Sequence, residues 1–428
     1  MSGLLTDLYE LTMSAGFWET GKWDEAAVFE MSVRRLPRNR NYVLAAGLEQ
    51  AVEYLLRLEF GDAEIVYLRG LPQFSRVSPG FFDALRAFRF RGDVDAVEEG
   101  TTLFAGEPVM RVRATLPQGQ IPETYLLSTI TFQTLIASKA ARVVNSAAGR
   151  AVVEFGTRRA HTPEAGVLGA RAAYLAGCSG TSNTLAGYRY GIPALGTAAH
   201  SWILAFPAEH EAFRAMQQVL GPSTVHLVDT YDTEEGVRIA ASLGEPLWGI
   251  RIDSGDFVEL STRARRILDD AGLRQAKIMV SGDLDEHRIR EMLDAGAPVD
   301  AFGVGTELAT SADAPAMGAI YKLAEIDGKP VAKRSAGKST LPGSKQIFRH
   351  RTRDVIGLEM ESCPPGARPL LQPVLRNGAL VRPQPSLMEI RERAAEALAA
   401  LPARYHDLDV VEPYPVELSP ALRALAEP

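Results

Sequence analysis

At 428 residues the chain is too long for one ordinary domain and suits two, one of them a barrel. A 46% hydrophobic and 23% charged composition excludes a disordered chain, and 53 acidic against 46 basic side chains, net −7, argue against general nucleic-acid binding while leaving room for a local pocket that holds a small anion. Two cysteines, Cys178 and Cys363, argue against a disulfide framework or a thiolate zinc site; the start MSGLLTDLYE lacks the basic opening of a secretion signal, and no apolar run approaches the ~18 residues of a membrane span. The expectation is a soluble cytoplasmic enzyme or binding protein.

Apolar residues at helical spacing predict a helix over 4–19, and alternation predicts a strand over 25–36. Helices are expected again over 48–58 and 79–88, followed by short strands broken by Gly and Pro turns over 93–116. A long helix over about 122–147 leads into a different pattern. From Arg150 onward strands and helices alternate: AVVEFG, IPALGT, TVHLVDT, LWGIRIDSGD, AKIMVSGD and VDAFGVGT, with a helical segment after each of the first five. That rhythm predicts a parallel sheet or barrel. It stops near Gly318, after which IYKLAEIDGKPVAKRS and SKQIFRH read as antiparallel strands, PPGARP as a turn and 385–401 as an amphipathic helix. The expected division is an N-terminal α+β domain over 1–121, a barrel with its leading helix over 122–317, and a C-terminal segment over 318–428 that folds back onto the first domain.

The strand ends carry the chemistry. They supply Arg158 and Arg159, His200 and Ser201, Asp229 and Asp232, Arg251, Asp253 and Asp256, then Ser281-Gly282-Asp283 and Gly303-Val304-Gly305-Thr306. In a parallel α/β barrel all carboxyl ends of the strands share one face, and that face holds the active site. Each turn alone reads more readily as an ordinary tight connection, but six polar ends in succession point to function. Glycine lets a phosphate approach backbone N–H groups without a Cβ in the way, and the last two turns sit where barrel enzymes often hold phosphate. His200, among small residues in GTAAHSW, can serve as base or nucleophile. The other six histidines, including His226 and His350, read as surface or packing residues. Arginine offers a planar fork for carboxylate or phosphate, with a salt bridge as the plainer alternative. Asp253 and Asp256 suit ribose hydroxyls or magnesium.

Taken together, LLTDLYELTM, EFGTRRAH, GTSNTLAGYRYGIPALGTAAHS, LVDTYDT, RIDSGD, SGDLDE, FGVGTELATS and KSTLPGSKQIFR resemble the nicotinate phosphoribosyltransferase family of NAD salvage, in the expected order from Leu4 to Arg349. The resemblance implies an irregular, incomplete α/β barrel plus a mixed α+β domain built from both ends of the chain. It also implies a homodimer with shared active sites. The implied reaction joins nicotinate to 5-phosphoribosyl 1-diphosphate with coupled ATP hydrolysis, uses Mg2+ whose ligands remain open, and passes through a phosphohistidine at His200. Carried over residue by residue, His200, Asp253 and Arg251 would be catalytic. Phe155 and the partner's Tyr9 would sandwich the pyridine, and Arg158, Ser182, Asn183 and Ser201 would meet substrate. Ser254 and Gly255, with Arg251 and Asp253, would hold the ribose diphosphate. Ser281, Gly282, Gly303, Gly305 and Thr306 would take the 5-phosphate, with the partner's Arg34 a further phosphate contact.

Ser182 and Asn183 stand where the related nicotinamide enzymes carry an aspartate, so nicotinate is favoured. Nicotinamide transfer and a non-catalytic phosphate-sugar binder are the alternatives. A Schiff-base aldolase is excluded because none of the six strand ends has a lysine.

Overall fold

A computed structural model describes residues 1–335 and 340–427. The last two residues of the masked stretch, Lys338 and Ser339, open the KSTLPGSKQIFR motif and lie outside the described residues. The chain forms two compact units, Met1–Leu135 with Ala316–Pro428, and Ile136–Pro315. The division falls inside one continuous helix, Glu123–Ser146.

The first unit is built from both ends of the chain. Its seven-stranded sheet runs in the order Lys329–Pro330, Gly318–Ile326, Ala26–Arg35, Pro108–Thr115, Asp93–Val97, Leu371–Arg376, Ala379–Leu380, every pairing antiparallel. Met31 stands opposite both Met110 and Tyr321, and all three are fully buried in the core of this unit. A second sheet of this unit pairs Lys345–Arg349 with Arg368–Pro369 on one side and Asp354–Leu358 on the other. The sequence offers no helix at Asp62–Arg69, yet one forms there. Its Ile65 and Leu68 are buried while Val66 and Tyr67 are exposed, so apolar residues on both sides hide the amphipathic period.

The second unit carries six parallel strands in the order Gly180–Thr181, Ala151–Glu154, Ala301–Val304, Lys277–Ser281, Gly249–Ile252, Val225–Leu227. The sheet does not close among the described residues, so the barrel is incomplete as expected. One predicted strand is corrected. IPALGT contributes a single bridge, Ala194 to Thr181, and the second strand is Gly180–Thr181. Pro193 has no N–H to donate to a ladder; its carbonyl accepts from Thr181 at 3.0 Å, Leu195 donates back to Thr181 at 2.9 Å, and pairing ends there. Buried Ile250, Ile252, Ile278, Val280, Phe302 and Val304 account for the near-continuous apolar runs of these strands.

A buried ion network lies on this unit. Lys139 Nζ lies 2.6 Å from Glu286 and 3.0 Å from Asp313, and Arg142 Nε donates to Glu286 at 2.8 Å. Burial pushes the Glu286 carboxyl up, but Lys139 and Arg142 outweigh it and hold its pKa below the ordinary glutamate value. A depressed carboxylate pKa contributes stability above the unfolded value, near 4.3, that is lost as pH falls through the folded value. Lys139→Met should therefore cost about 3–5 kcal/mol at pH 7, because Glu286 loses a partner while remaining buried. Urea unfolding across pH 3–7 should also show a flatter acid limb for this variant than for the parent chain.

Candidate active site

The carboxyl ends of the six strands gather most of the predicted polar residues. A cavity of about 520 Å³ opens there, lined among others by Phe155, Arg158, Ser182, His200, Arg251 and Asp253. Its volume suits a small-molecule ligand.

Arg251, next to last in the strand Gly249–Ile252, organises the mouth. Its Nε donates to Ser281 Oγ at 2.7 Å, and its Nη2 to Asp253 Oδ1 at 2.7 Å. Its Nη1 donates to Thr197 Oγ1 and, at 3.1 Å, to the Ala198 carbonyl. Ser281 in turn donates to Asp253 Oδ1. Burial raises the pKa of Asp253, but the Ser281 hydroxyl, the Arg251 guanidinium and His200 together hold it below the ordinary aspartate value, so it is ionised at neutral pH. Asp229 completes the arrangement from the neighbouring strand end. Its Oδ2 accepts from the Asp253 N–H at 3.0 Å and the Ser254 hydroxyl at 2.6 Å.

His200 begins the helix His200–Leu204 and is partly exposed. Its Nδ1 lies 3.1 Å from Thr230 Oγ1, and its Nε2 lies 3.9 Å from Asp253 Oδ2. Across the cavity Phe155 packs over Gly303, where an added Cβ would sit 2.5 Å from the ring. The Arg251 guanidinium lies 5.8 Å from the centroid of that ring. Behind Phe155, Glu154 is buried and accepts from Thr181 Oγ1 at 2.6 Å and from the Gly156 N–H. Burial raises its pKa more than these bonds lower it.

The remaining predicted residues stand in varied settings. The Asn183 side chain is buried and caps the helix Thr184–Tyr190 by accepting from Ala186 at 2.9 Å, while Ser182 and Thr184 line the cavity. Ser281 is buried between Arg251 and Asp253, so its hydroxyl serves those two groups. Asp256 caps the helix Phe257–Asp270 through two N–H groups at 3.0 Å. Ser254, Gly255 and Ser201 are exposed outside the cavity lining, as is Arg159. Gly282, at φ 102°, lies so close to Asp253 that a Cβ there would sit 2.1 Å from its carbonyl oxygen. Gly305 and Thr306 open only a single helical turn, Thr306–Ala309, which sums few peptide dipoles; any anion held there depends on the backbone amides themselves. Tyr9 and Arg34 belong to the first unit, Tyr9 half-exposed and Arg34 lining a cleft of about 130 Å³ with Lys322 and Lys345. Sequence reasoning passed over Thr197, Thr181 and Glu154 as site residues, and named Asp229 only as a strand-end acid without a role. All four lie within quoted motifs, but nothing in a lone Thr or Glu reports the partner it will meet.

Residues 4–131 match the N-terminal domain of nicotinate phosphoribosyltransferase, 151–359 the nicotinate phosphoribosyltransferase family, and 326–426 its C-terminal domain. The chain belongs to the nicotinate phosphoribosyltransferase family. Members of this family are transferases of NAD biosynthesis. The chain is 44% identical to nicotinate phosphoribosyltransferase pncB2 of Mycobacterium tuberculosis, over 98% of this chain and 92% of that protein. It is 38% identical to the Bacillus subtilis nicotinate phosphoribosyltransferase, over 97% and 92%. Among solved structures, human nicotinic acid phosphoribosyltransferase superposes with a TM-score of 0.87 at 29% identity, covering 98% of this chain and 99% of that one.

Within this family member Arg251 is a positioning residue whose fork spans three segments at once. Arg251→Lys keeps the charge but cannot serve Thr197, Ser281 and Asp253 together. It should lower kcat/KM by about 10²-fold while the urea midpoint changes little, as steady-state kinetics and unfolding on the same preparation would show.

Proposed function

We propose that the protein transfers the phosphoribosyl group of 5-phosphoribosyl 1-diphosphate to nicotinate, forming nicotinate mononucleotide and diphosphate in the cytoplasm, with ATP hydrolysis coupled through His200. The observation that carries this reading is the lining of the mouth. Arg158, Ser182 and Thr184 lie in the cavity wall with Phe155, the Glu154 carboxylate is turned away behind that wall, and Asp253 is the one acid among the described lining residues. A nicotinate carboxylate would meet Arg158 and the hydroxyls without an opposing charge. Phe155 over Gly303 offers a flat face for the pyridine ring, so that its nitrogen is presented to the anomeric carbon of the ribose.

Among the described residues no group of three potential metal ligands stands together. Magnesium does not need such a group, since it is commonly held by one or two carboxylates with water and substrate phosphates. Asp253 and Asp229, whose Oδ1 is buried without a hydrogen-bond partner, are the acids that would hold it. When bound, the ion would supply charge neutralisation for the departing diphosphate. Backbone amides of the turns at Gly282 and Gly305 would take the 5-phosphate.

In the tautomer whose Nδ1–H donates to Thr230 Oγ1, 3.1 Å away, His200 Nε2 keeps its lone pair and can take a phosphoryl group from ATP. Asp253 would then stabilise the positive charge that the ring acquires. Exposed Leu5, Leu8, Tyr9 and Met13 on the first unit, and Leu185, Tyr188, Leu195 and Leu204 on the second, are apolar surface of the kind a second copy covers, which supports a homodimer in which Tyr9 and Arg34 complete the partner's site.

Product formation from nicotinate, nicotinamide and quinolinate, each with and without ATP, tests this reading. Nicotinate should be preferred by at least about 10²-fold, the scale set by an unpaired or opposed charge in a binding site. His200→Ala should retain a slower reaction that no longer responds to ATP; full ATP stimulation in that variant would overturn the role of His200.

A further inference from the structure

The first unit holds a second cavity of about 550 Å³, large enough for a nucleotide-sized ligand. Its lining includes Arg349, Arg351, Arg368 and His350 and no acidic residue, in a chain whose net charge is −7. The three arginines are not equivalent. Arg349 is held by Asp354 through Nε at 3.0 Å, donates to the Thr102 carbonyl at 2.8 Å, and lies over the Phe104 ring at 5.3 Å. Its charge is accounted for. Arg368 stands directly opposite Arg349 on the paired strand, an arrangement that like charges disfavour. Neither Arg368 nor Arg351 forms an ion pair among the described residues, and both are exposed. The same lining includes the apolar Ala397, Leu401 and Pro402, with Tyr414 stacked on Phe104 at 3.7 Å between ring centroids.

A cavity lined by both cationic and apolar side chains suits a ligand that carries both kinds of group. We propose that this cavity binds a phosphorylated organic molecule of nucleotide size, its phosphate on Arg351, Arg368 and His350 and its ring or chain against Leu401, Pro402 and Tyr414. Arginine forks match phosphate oxygens bidentately, and Arg351 and Arg368 have no carboxylate partner among the described residues to compete with a phosphate. His350 has a setting that its sequence neighbourhood did not disclose. The site lies wholly within the first unit and is independent of the transfer reaction.

AMP, adenosine and inorganic phosphate serve as probes with the full-length protein. Photolabelling with 8-azido-AMP followed by peptide mapping should mark residues within 349–368 or 397–414, with AMP competing and adenosine not. The exposed, unpaired positions tolerate Arg351→Gln combined with Arg368→Gln, which should weaken AMP protection of these peptides by about 10²-fold, leaving nicotinate turnover unchanged. The proposal is overturned by labelling confined to peptides of residues 155–253, by labelling of 349–414 that the double substitution leaves intact, or by inorganic phosphate competing as tightly as AMP.

Discussion

One guanidinium holds the mouth of the parallel sheet together. Arg251 reaches the loop at Thr197 and Ala198, the next strand end at Ser281, and Asp253 two residues along its own chain. These segments come from three separate connections, and short polar loops would otherwise set their own conformations. Because arginine is planar and never titrates, the geometry it imposes persists across the working pH range. Asp253 is ionised because Arg251 and Ser281 face it, and its second oxygen is thereby directed at His200. The placing of Asp253 between Ser281 and the loop at Thr197 follows from that one side chain.

A second set of carboxylates does a different task. Glu154 is buried one residue before Phe155 and spends both oxygens on the protein, one on Thr181 and one on the Gly156 N–H. It ties two neighbouring strands at the point where Phe155 emerges, and Thr181 passes the connection on by accepting from the Asn183 N–H at 3.0 Å. A carboxylate of the same composition placed in the wall would repel a carboxylate substrate; placed behind it, the same group only orients. Asp229 stands between these cases, with one oxygen engaged and the other buried without a partner. Buried polar groups left in that state are costly, so this oxygen is a natural point for a ligand to satisfy.

Much of this was legible in the sequence for simple reasons. Parallel strands buried on both faces read as apolar runs, and their ends read as Gly, Asp, Ser or Arg because backbone must turn and side chains must face a cavity. Hence the strands near Val153, Ile250, Val280 and Phe302, and the meeting of Arg158, His200, Arg251 and Asp253, follow from local pattern plus the handedness and order of a βα array. The one strand misread, IPALGT, has the right apolar residues but a proline where a donor is required, and its pairing stops at a bridge.

The sequence by itself determined the alternation of strands and helices, the return of the chain's end to its beginning, and the residue types at the mouth. Only the tertiary structure decided which of those residues face the cavity and which serve one another. Asn183 caps a helix, Ser281 is enclosed between Arg251 and Asp253, and Arg351 and Arg368 stand unpaired in a cavity that apolar side chains also line. A hydrogen bond or a missing counter-ion depends on distances between segments far apart in the chain, and residue order carries no record of those distances until the chain is folded.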